Sequence, residues 1–165
     1  MFNAGIIRQK NADWLASRAT GASGRVVLIV EDSETDIYFL LRAFAQSSLQ
    51  NPVFVVRSGA EAISYLEGTG IFANRCQYPL PSIVFLDLTM PGLSGYDVLR
   101  WKRERGSLPR ILWVAVSNFD AEARIKEAYQ TGASTFLSKP LSPEDLERLM
   151  KKSEGYWVQT EEILT

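Results

Sequence analysis

From Arg25 onward two apolar rhythms alternate along the chain. Val26–Val30 is a short, wholly apolar, β-branched run, the pattern of a strand buried on both faces. Ile37, Leu40, Leu41 and Phe44 then recur at i, i+3, i+4 and i+7, a helix with one buried stripe, and Ser33 three residues before Asp36 supplies its start. Val53–Val56, behind Pro52, reads as a second strand, and Ala62, Ile63 and Leu66 mark a short helix that ends at Gly68. A longer connection over 68–81, with glycines and prolines, leads to a third apolar strand at 83–86, with Asp87 directly at its end. A helix over 94–105 follows with Val98 and Leu99 as core contacts, then a fourth strand at 111–116. Ala121, Ile125, Ala128 and Tyr129 predict the next buried stripe, closed by Gly132. Residues 134–137 form a weaker fifth strand, and Ser142-Pro143 caps a last helix through Leu146, Leu149 and Met150.

Five strands alternating with five helices imply an α/β fold with a parallel sheet and right-handed crossovers. Residues 1–24 read as an N-terminal extension. Phe2, Ile6, Ile7, Trp14 and Leu15 lie among polar residues, and Gly21-Ala22-Ser23-Gly24 looks like a flexible joint. Without a clear apolar signal core, the extension reads as a short helical arm packing on the domain or a partner rather than as a targeting segment. One domain is expected over 25–152. The tail at 153–165 carries Tyr156, Trp157 and Val158, then turns acidic, and is too short for a separate effector domain.

Composition narrows the chemistry. With 165 residues, 46% apolar and 22% charged, the chain is long enough to bury a core and is not generally disordered. A net charge of −1 gives no reason for general attraction to nucleic acid or anionic lipid, and no apolar run approaches a membrane span. A single cysteine, Cys76, excludes an internal disulfide framework and a Cys-rich zinc site. The chain has no histidine, which removes His-based triads, His-ligated metals and a phosphohistidine carrier role. The same features agree with a cytoplasmic location.

Ligands of open parallel sheets sit at the carboxyl ends of the strands. Strand one ends in Glu31-Asp32, strand three in Asp87 and strand four in Ser117, while strand five leads to Lys139. Three crowded carboxylates repel one another, and a hard divalent cation with oxygen ligands relieves that. Mg²⁺ is the natural choice, because it binds through few carboxylates and keeps waters that a phosphate can replace. With Mg²⁺ and Lys139 in place, the site is formally neutral and admits a dianionic phosphoryl group. Asp87 can then serve as a carboxylate nucleophile, with Lys139 and Ser117 holding phosphoryl oxygens.

Val30-Glu31-Asp32, Leu86-Asp87-Leu88-Thr89-Met90-Pro91-Gly92, Ser117 and Phe136-Leu137-Ser138-Lys139-Pro140 are weak motifs singly and specific in this order. Carrying them, residues 25–152 resemble the receiver domain of two-component response regulators. The resemblance implies a flavodoxin-like, doubly wound, five-stranded parallel sheet of order 2-1-3-4-5 with five helices. It further implies that Asp87 accepts a phosphoryl group from a histidine kinase or phosphotransfer protein. Asp32 would be a direct Mg²⁺ ligand, Glu31 would act through water, and the Thr89 backbone carbonyl would be a further ligand. Ser117 and Lys139 would contact the phosphoryl group, and Phe136 would be the switch aromatic. The Lys139-Pro140 bond is usually cis in this family.

Glu31 replaces the family's commoner aspartate. Thr89 and Phe119 stand two places after the acceptor and after Ser117, where the family tunes hydrolysis, and a bulky Phe119 predicts a long-lived phosphoryl state. Arg100, Lys102, Arg103 and Arg105 form a basic cluster that complements the helix C-terminus, with the Lys102 stem lying along apolar surface. The 65–73 segment, Tyr78-Pro79-Leu80-Pro81, Leu99-Arg100-Trp101 and Tyr156-Trp157 resemble the stand-alone regulators similar to those paired with phytochrome and other sensor kinases. In that group the end of the domain often contributes to a homodimer. The expected function is a phosphorylation-controlled binding module in a phosphorelay, with an unspecified downstream protein partner. It is not expected to be an enzyme beyond self-phosphorylation and self-dephosphorylation. The competing readings are an aspartyl phosphatase, which wants an acid where Thr89 stands, a flavin binder, whose phosphate three acids would repel, and an unphosphorylated scaffold. A DNA-binding regulator is excluded, because no helix-turn-helix follows the receiver.

Overall fold

Apolar side chains on both faces place β1 (Val26–Val30) at the centre of a sheet, because only a strand covered on each side can hide all five of its residues. A computed structural model describes residues 25–118 and 121–153. The expectations for the arm at 1–24, for Phe119 and for Tyr156 and Trp157 lie outside the described residues. From β1 the chain runs through α1 (Glu34–Gln46), β2 (Val53–Val56), α2 (Gly59–Glu67), a 3₁₀ turn (Gly70–Phe72) and β3 (Pro81–Asp87). It continues through α3 (Gly95–Arg105), β4 (Leu112–Ser117), α4 (Glu122–Thr131), β5 (Thr135–Ser138) and α5 (Pro143–Lys152). All strands are parallel, in the order β2-β1-β3-β4-β5, which is the expected flavodoxin-like arrangement.

Alternation along the strands sorts the core into two layers. Leu28, Val30, Val84, Leu86, Trp113 and Ala115 face α2, α3 and α4 through Tyr65, Leu66, Val98, Leu99 and Ala128. Val27, Ile29, Phe85, Val114 and Val116 face α1 and α5 through Leu40, Phe44, Leu146, Leu149 and Met150. Each helix of the second layer starts on a serine. Ser33 Oγ accepts from Asp36 N, and Ser142 and Asp145 form a reciprocal capping box behind Pro143. Ser94 and Asp97 make the same box at the start of α3.

The stripe predicted for α4 is corrected. Ala128 is fully buried and Ile125 half-buried, but Ala121 is exposed, Tyr129 is 48% exposed, and Thr131 is buried instead. This helix packs on α3 and on the edge strand β5, whose residues are themselves only half-buried or exposed. A short contact through one alanine leaves the flanking apolar positions without a surface to cover.

Lys102, Arg103 and Arg105 lie in the last turn of α3, as expected, and two of them also serve its neighbour. Lys102 Nζ donates to the Gly132 carbonyl at 2.9 Å and lies 5.3 Å from the Trp113 ring centroid, while Arg103 reaches the Gln130 carbonyl at 3.4 Å. Both carbonyls belong to the C-terminal end of α4, where cations are favoured. Burial pushes the Lys102 ammonium below its ordinary pKa, which fits a stem lying along apolar surface. Arg75 plays a similar part at α2. Its guanidinium donates to the Tyr65 and Leu66 carbonyls at 2.6 Å each and to Tyr78 O at 3.3 Å. It thereby ties down the 68–80 connection, whose Tyr78 packs edge-on against Tyr65 and Phe72, while Tyr65 donates to Pro79 O.

Candidate functional site

The carboxyl edge of the sheet is where the helices begin and the polar residues collect. Glu31 continues β1, its N–H donating to Val56 O at 3.1 Å, and its Oε1 accepts from Ser33 N at 3.1 Å. Asp87 closes β3, and its Oδ1 accepts from Thr89 N at 3.0 Å. Both acids are buried, at 3% and 5% exposure, while Asp32 faces solvent. One carboxylate oxygen from each of Glu31, Asp32 and Asp87 lies within 4.8 Å of the others.

Lys139 enters this cluster from the far edge. Ser117, buried at the end of β4, accepts the Lys139 N–H on its carbonyl at 2.9 Å, so pairing of β4 with β5 fixes where the lysine leaves the sheet. The following Lys139-Pro140 peptide is cis. Lys139 Nζ donates to Glu31 Oε2 and, at 2.9 Å, to Asp36 Oδ2, and stands 3.4 Å from Asp87 Oδ2. Its side chain is only 7% exposed. A cleft of about 150 Å³ opens over Glu31, Asp32, Asp87, Thr89, Ser117 and Lys139. Behind the lysine a cavity of about 20 Å³ borders Val30, Phe39, Leu40, Phe85, Val116 and Leu141, so the inner wall is apolar.

Charge in this setting is unevenly matched. Burial pushes the Glu31 carboxyl up to about 7 against the pull of Lys139 and the Ser33 N–H, and the Asp87 charge adds to the rise. Burial also works against the Lys139 ammonium, but hydrogen bonds to Glu31 and Asp36 prevail and raise its pKa. One ammonium among so many carboxylates leaves the site short of positive charge. A hard divalent cation fits that donor set: three carboxylates converge and the cleft has room for water.

The structure brings Glu31, Asp32, Asp87, Thr89, Ser117 and Lys139 into one cleft. Phe136 stands apart on β5, opposite Ala115, half-buried against the layer that holds α3 and α4. Two residues beyond the sequence-derived set shape the site. Asp36, read from the sequence only as part of a helix start, reaches Lys139. Gly95, the first residue of α3, lies so near β3 that a Cβ there would fall 2.3 Å from Asp87 O and 2.7 Å from Leu88 Cα. The signal for Gly95 was a glycine in the first turn of a helix, a poor helix former where a good one costs nothing. Arg124 adds a longer contact, Nη1 to Thr89 Oγ1 at 3.5 Å.

Known proteins share this architecture. The chain is 26% identical to the response regulator Rcp1 of Synechocystis sp. over 136 residues, covering 82% of this chain and 90% of Rcp1. The Mn²⁺-bound form of Rcp1 superimposes with a TM-score of 0.64, over 78% of this chain and 90% of that one. The bacteriophytochrome response regulator AtBRR is 30% identical with a TM-score of 0.74, over 86% of this chain and all of AtBRR. The response regulator RPA3017, in red light signalling of R. palustris, is 30% identical with a TM-score of 0.73, over 82% and 99% of the two chains. The family model for the response regulator receiver domain matches residues 27–151. That match runs from within β1 to within α5 and includes every site residue named above, and the chain belongs to the response regulator receiver domain family.

Proposed function

We propose that the protein is a single-domain response regulator, built on residues 25–152 between flanking segments 1–24 and 153–165. In this reading Asp87 accepts a phosphoryl group from a histidine kinase or phosphotransfer protein in a Mg²⁺-dependent step. The observation that carries it is the placement of the Asp87 carboxylate: buried at a strand end, within 4.8 Å of the Glu31 and Asp32 carboxylates, with the Lys139 ammonium 3.4 Å away.

Glu31, Asp32, Asp87 and the Thr89 backbone carbonyl would hold Mg²⁺, and the Mn²⁺-bound form of Rcp1 supports a divalent ion in this setting. When bound, the ion supplies positive charge to phosphoryl oxygens as they gather negative charge. An Asp87 carboxylate oxygen attacks phosphorus, and the bond from phosphorus to the donor's imidazole nitrogen breaks, its electron pair leaving with the imidazole. Lys139 Nζ and Ser117 Oγ, which line the same cleft, would hold phosphoryl oxygens. Thr89 N–H, which donates to Asp87 Oδ1, keeps that carboxylate aimed into the cleft. Such a group need only position and neutralise, which is most of what phosphoryl transfer asks of a protein.

Phosphorylation would then shift a two-state equilibrium in which Ser117 and Phe136 rearrange and alter a protein-binding surface. The partners would be the phosphodonor protein, a downstream protein and a second copy of the chain, all in the cytoplasm. No described helix is long and apolar enough to cross a membrane. The test is intact-mass measurement after acetyl phosphate treatment with and without Mg²⁺. One added phosphoryl group in Mg²⁺ alone, absent from Asp87→Ala, is expected. Uptake that survives in Asp87→Ala, or its absence from the wild type, would overturn the reading.

A further inference from the structure

Among the described residues three helices begin with the same Ser-x-x-Asp spacing, and one of them uses its aspartate differently. At α3 the Asp97 carboxylate returns to Ser94 N at 2.9 Å, and at α5 the Asp145 carboxylate returns to Ser142 N at 2.9 Å, closing both boxes. At α1 the Asp36 N–H still donates to Ser33 Oγ, but the Ser33 N–H is taken by Glu31 Oε1. Relieved of its capping duty, the Asp36 carboxylate turns to Lys139 Nζ, 103 residues away, at 2.9 Å. Local capping would be the default for this spacing, so the departure needs a cause in the site.

We propose that Asp36 is a positioning residue that holds the Lys139 ammonium in reserve and competes with the phosphoryl group for it. This rests on the reading of Asp87 as phosphoacceptor. Lys139 has three carboxylates in reach, and two of them, Glu31 and Asp87, belong to the trio whose oxygens converge within 4.8 Å. A cation held by that trio draws on the same oxygens and repels the ammonium. Asp36 lies outside the trio, at the 28%-exposed rim of the cleft, and remains as the partner for Lys139. A dianionic phosphoryl group on Asp87, whose carboxylate lies 3.4 Å from Nζ, competes with Asp36 for the three donors of the ammonium. The charge on Asp36 therefore opposes the phosphorylated state twice, by retaining the ammonium and by direct repulsion.

Beryllofluoride, which forms a phosphoryl-like adduct on a carboxylate, tests this without turnover. The full chain is titrated with it by calorimetry at saturating Mg²⁺, as wild type, Asp36→Asn and Asp36→Glu, and each protein is titrated with Mg²⁺ alone. Asp36→Asn keeps the backbone N–H to Ser33 and the side-chain volume. It is expected to bind beryllofluoride about fivefold more tightly, the upper end for a partly exposed ion pair, with Mg²⁺ affinity within about twofold. Asp36→Glu, which retains the charge, is expected to stay near wild type. Equal or weaker beryllofluoride binding by Asp36→Asn, beside a wild type that binds, overturns the role of Asp36 alone. A wild type that binds Mg²⁺ but never beryllofluoride overturns the phosphoacceptor reading and this proposal with it.

Discussion

Replacing Gly95 by alanine sets a local preference of the helix against the geometry of the site. Alanine in the first turn of α3 should gain about 1 kcal/mol over glycine from helix propensity alone. The added Cβ, however, would sit 2.3 Å from Asp87 O, about 1.1 Å inside the 3.4 Å at which such contacts become ordinary. The obstacles, Asp87 O and Leu88 Cα, are backbone atoms at the end of a paired strand and cannot rotate away. Forcing α3 outward or β3 inward costs about 1–3 kcal/mol, so after the propensity gain the net expectation is a loss of up to about 2 kcal/mol and a Tm lower by up to roughly 8 °C. Asp87 itself moves with its carbonyl, and a displacement near 1 Å should slow phosphoryl uptake by about 100-fold. Gly92→Ala is the control. Its φ of +73° strains any side chain at a cost of about 1–2 kcal/mol, yet nothing lies within 4 Å of its Cβ position, so uptake should stay within about twofold. The assays are thermal denaturation by circular dichroism and phosphoryl incorporation over time. A Gly95→Ala protein that melts at or above the wild-type temperature and takes up phosphoryl normally would refute the close-approach argument.

Two further outcomes follow from groups described above. The Glu31 carboxyl lies near 7 in the folded protein against 4.5 as its ordinary value, so the folded state holds that proton more tightly. This stabilisation is fully present below about pH 4.5 and is lost as pH rises through about 7, a fall of roughly 3 kcal/mol in the stability difference between wild type and Glu31→Gln. Urea denaturation in EDTA across that window should show the fall and saturating Mg²⁺ should abolish it; a flat difference in EDTA counts against it. Arg75→Met removes three donors from the carbonyls of Tyr65, Leu66 and Tyr78 and should cost about 2 kcal/mol by urea midpoint. Arg75→Lys should not restore it, because one ammonium cannot span carbonyls that a planar fork spans; full rescue would show that charge alone suffices.

Central strands and cleft residues were the legible part of this protein. Val26–Val30 and the run ending in Asp87 carry uniform apolar patterns because both faces are covered, and the polar residue after each strand falls at the carboxyl edge by topology. The stripe on α4 misled because periodicity shows that a helix has an apolar side without showing how much surface awaits it. Asp36 was legible only as a cap, since spacing within one turn is local and its partner is 103 residues distant. The basic cluster was likewise read against its own helix end, whereas Lys102 and Arg103 answer carbonyls of α4 that α3 meets only after folding. Gly95 carries no side chain to announce a contact, and its meaning appears only as a space that an atom would overfill.

The acids and the cation of the cleft come from regions of very different security. Glu31 and Asp87 extend the two most deeply enclosed strands, while Lys139 follows β5, four edge residues that are half-buried or exposed and pair on one side only. In native-state hydrogen exchange, amides of β1 and β3 should open only with the whole molecule, whereas β5 belongs to the class that opens locally. Such an opening would break the Lys139 N–H bond to Ser117 O and loosen the ammonium from carboxylates that stay in place. A cleft whose cation hangs on an edge strand and whose acids sit on central strands would lose its counter-ion in a local opening that leaves the rest of the fold intact.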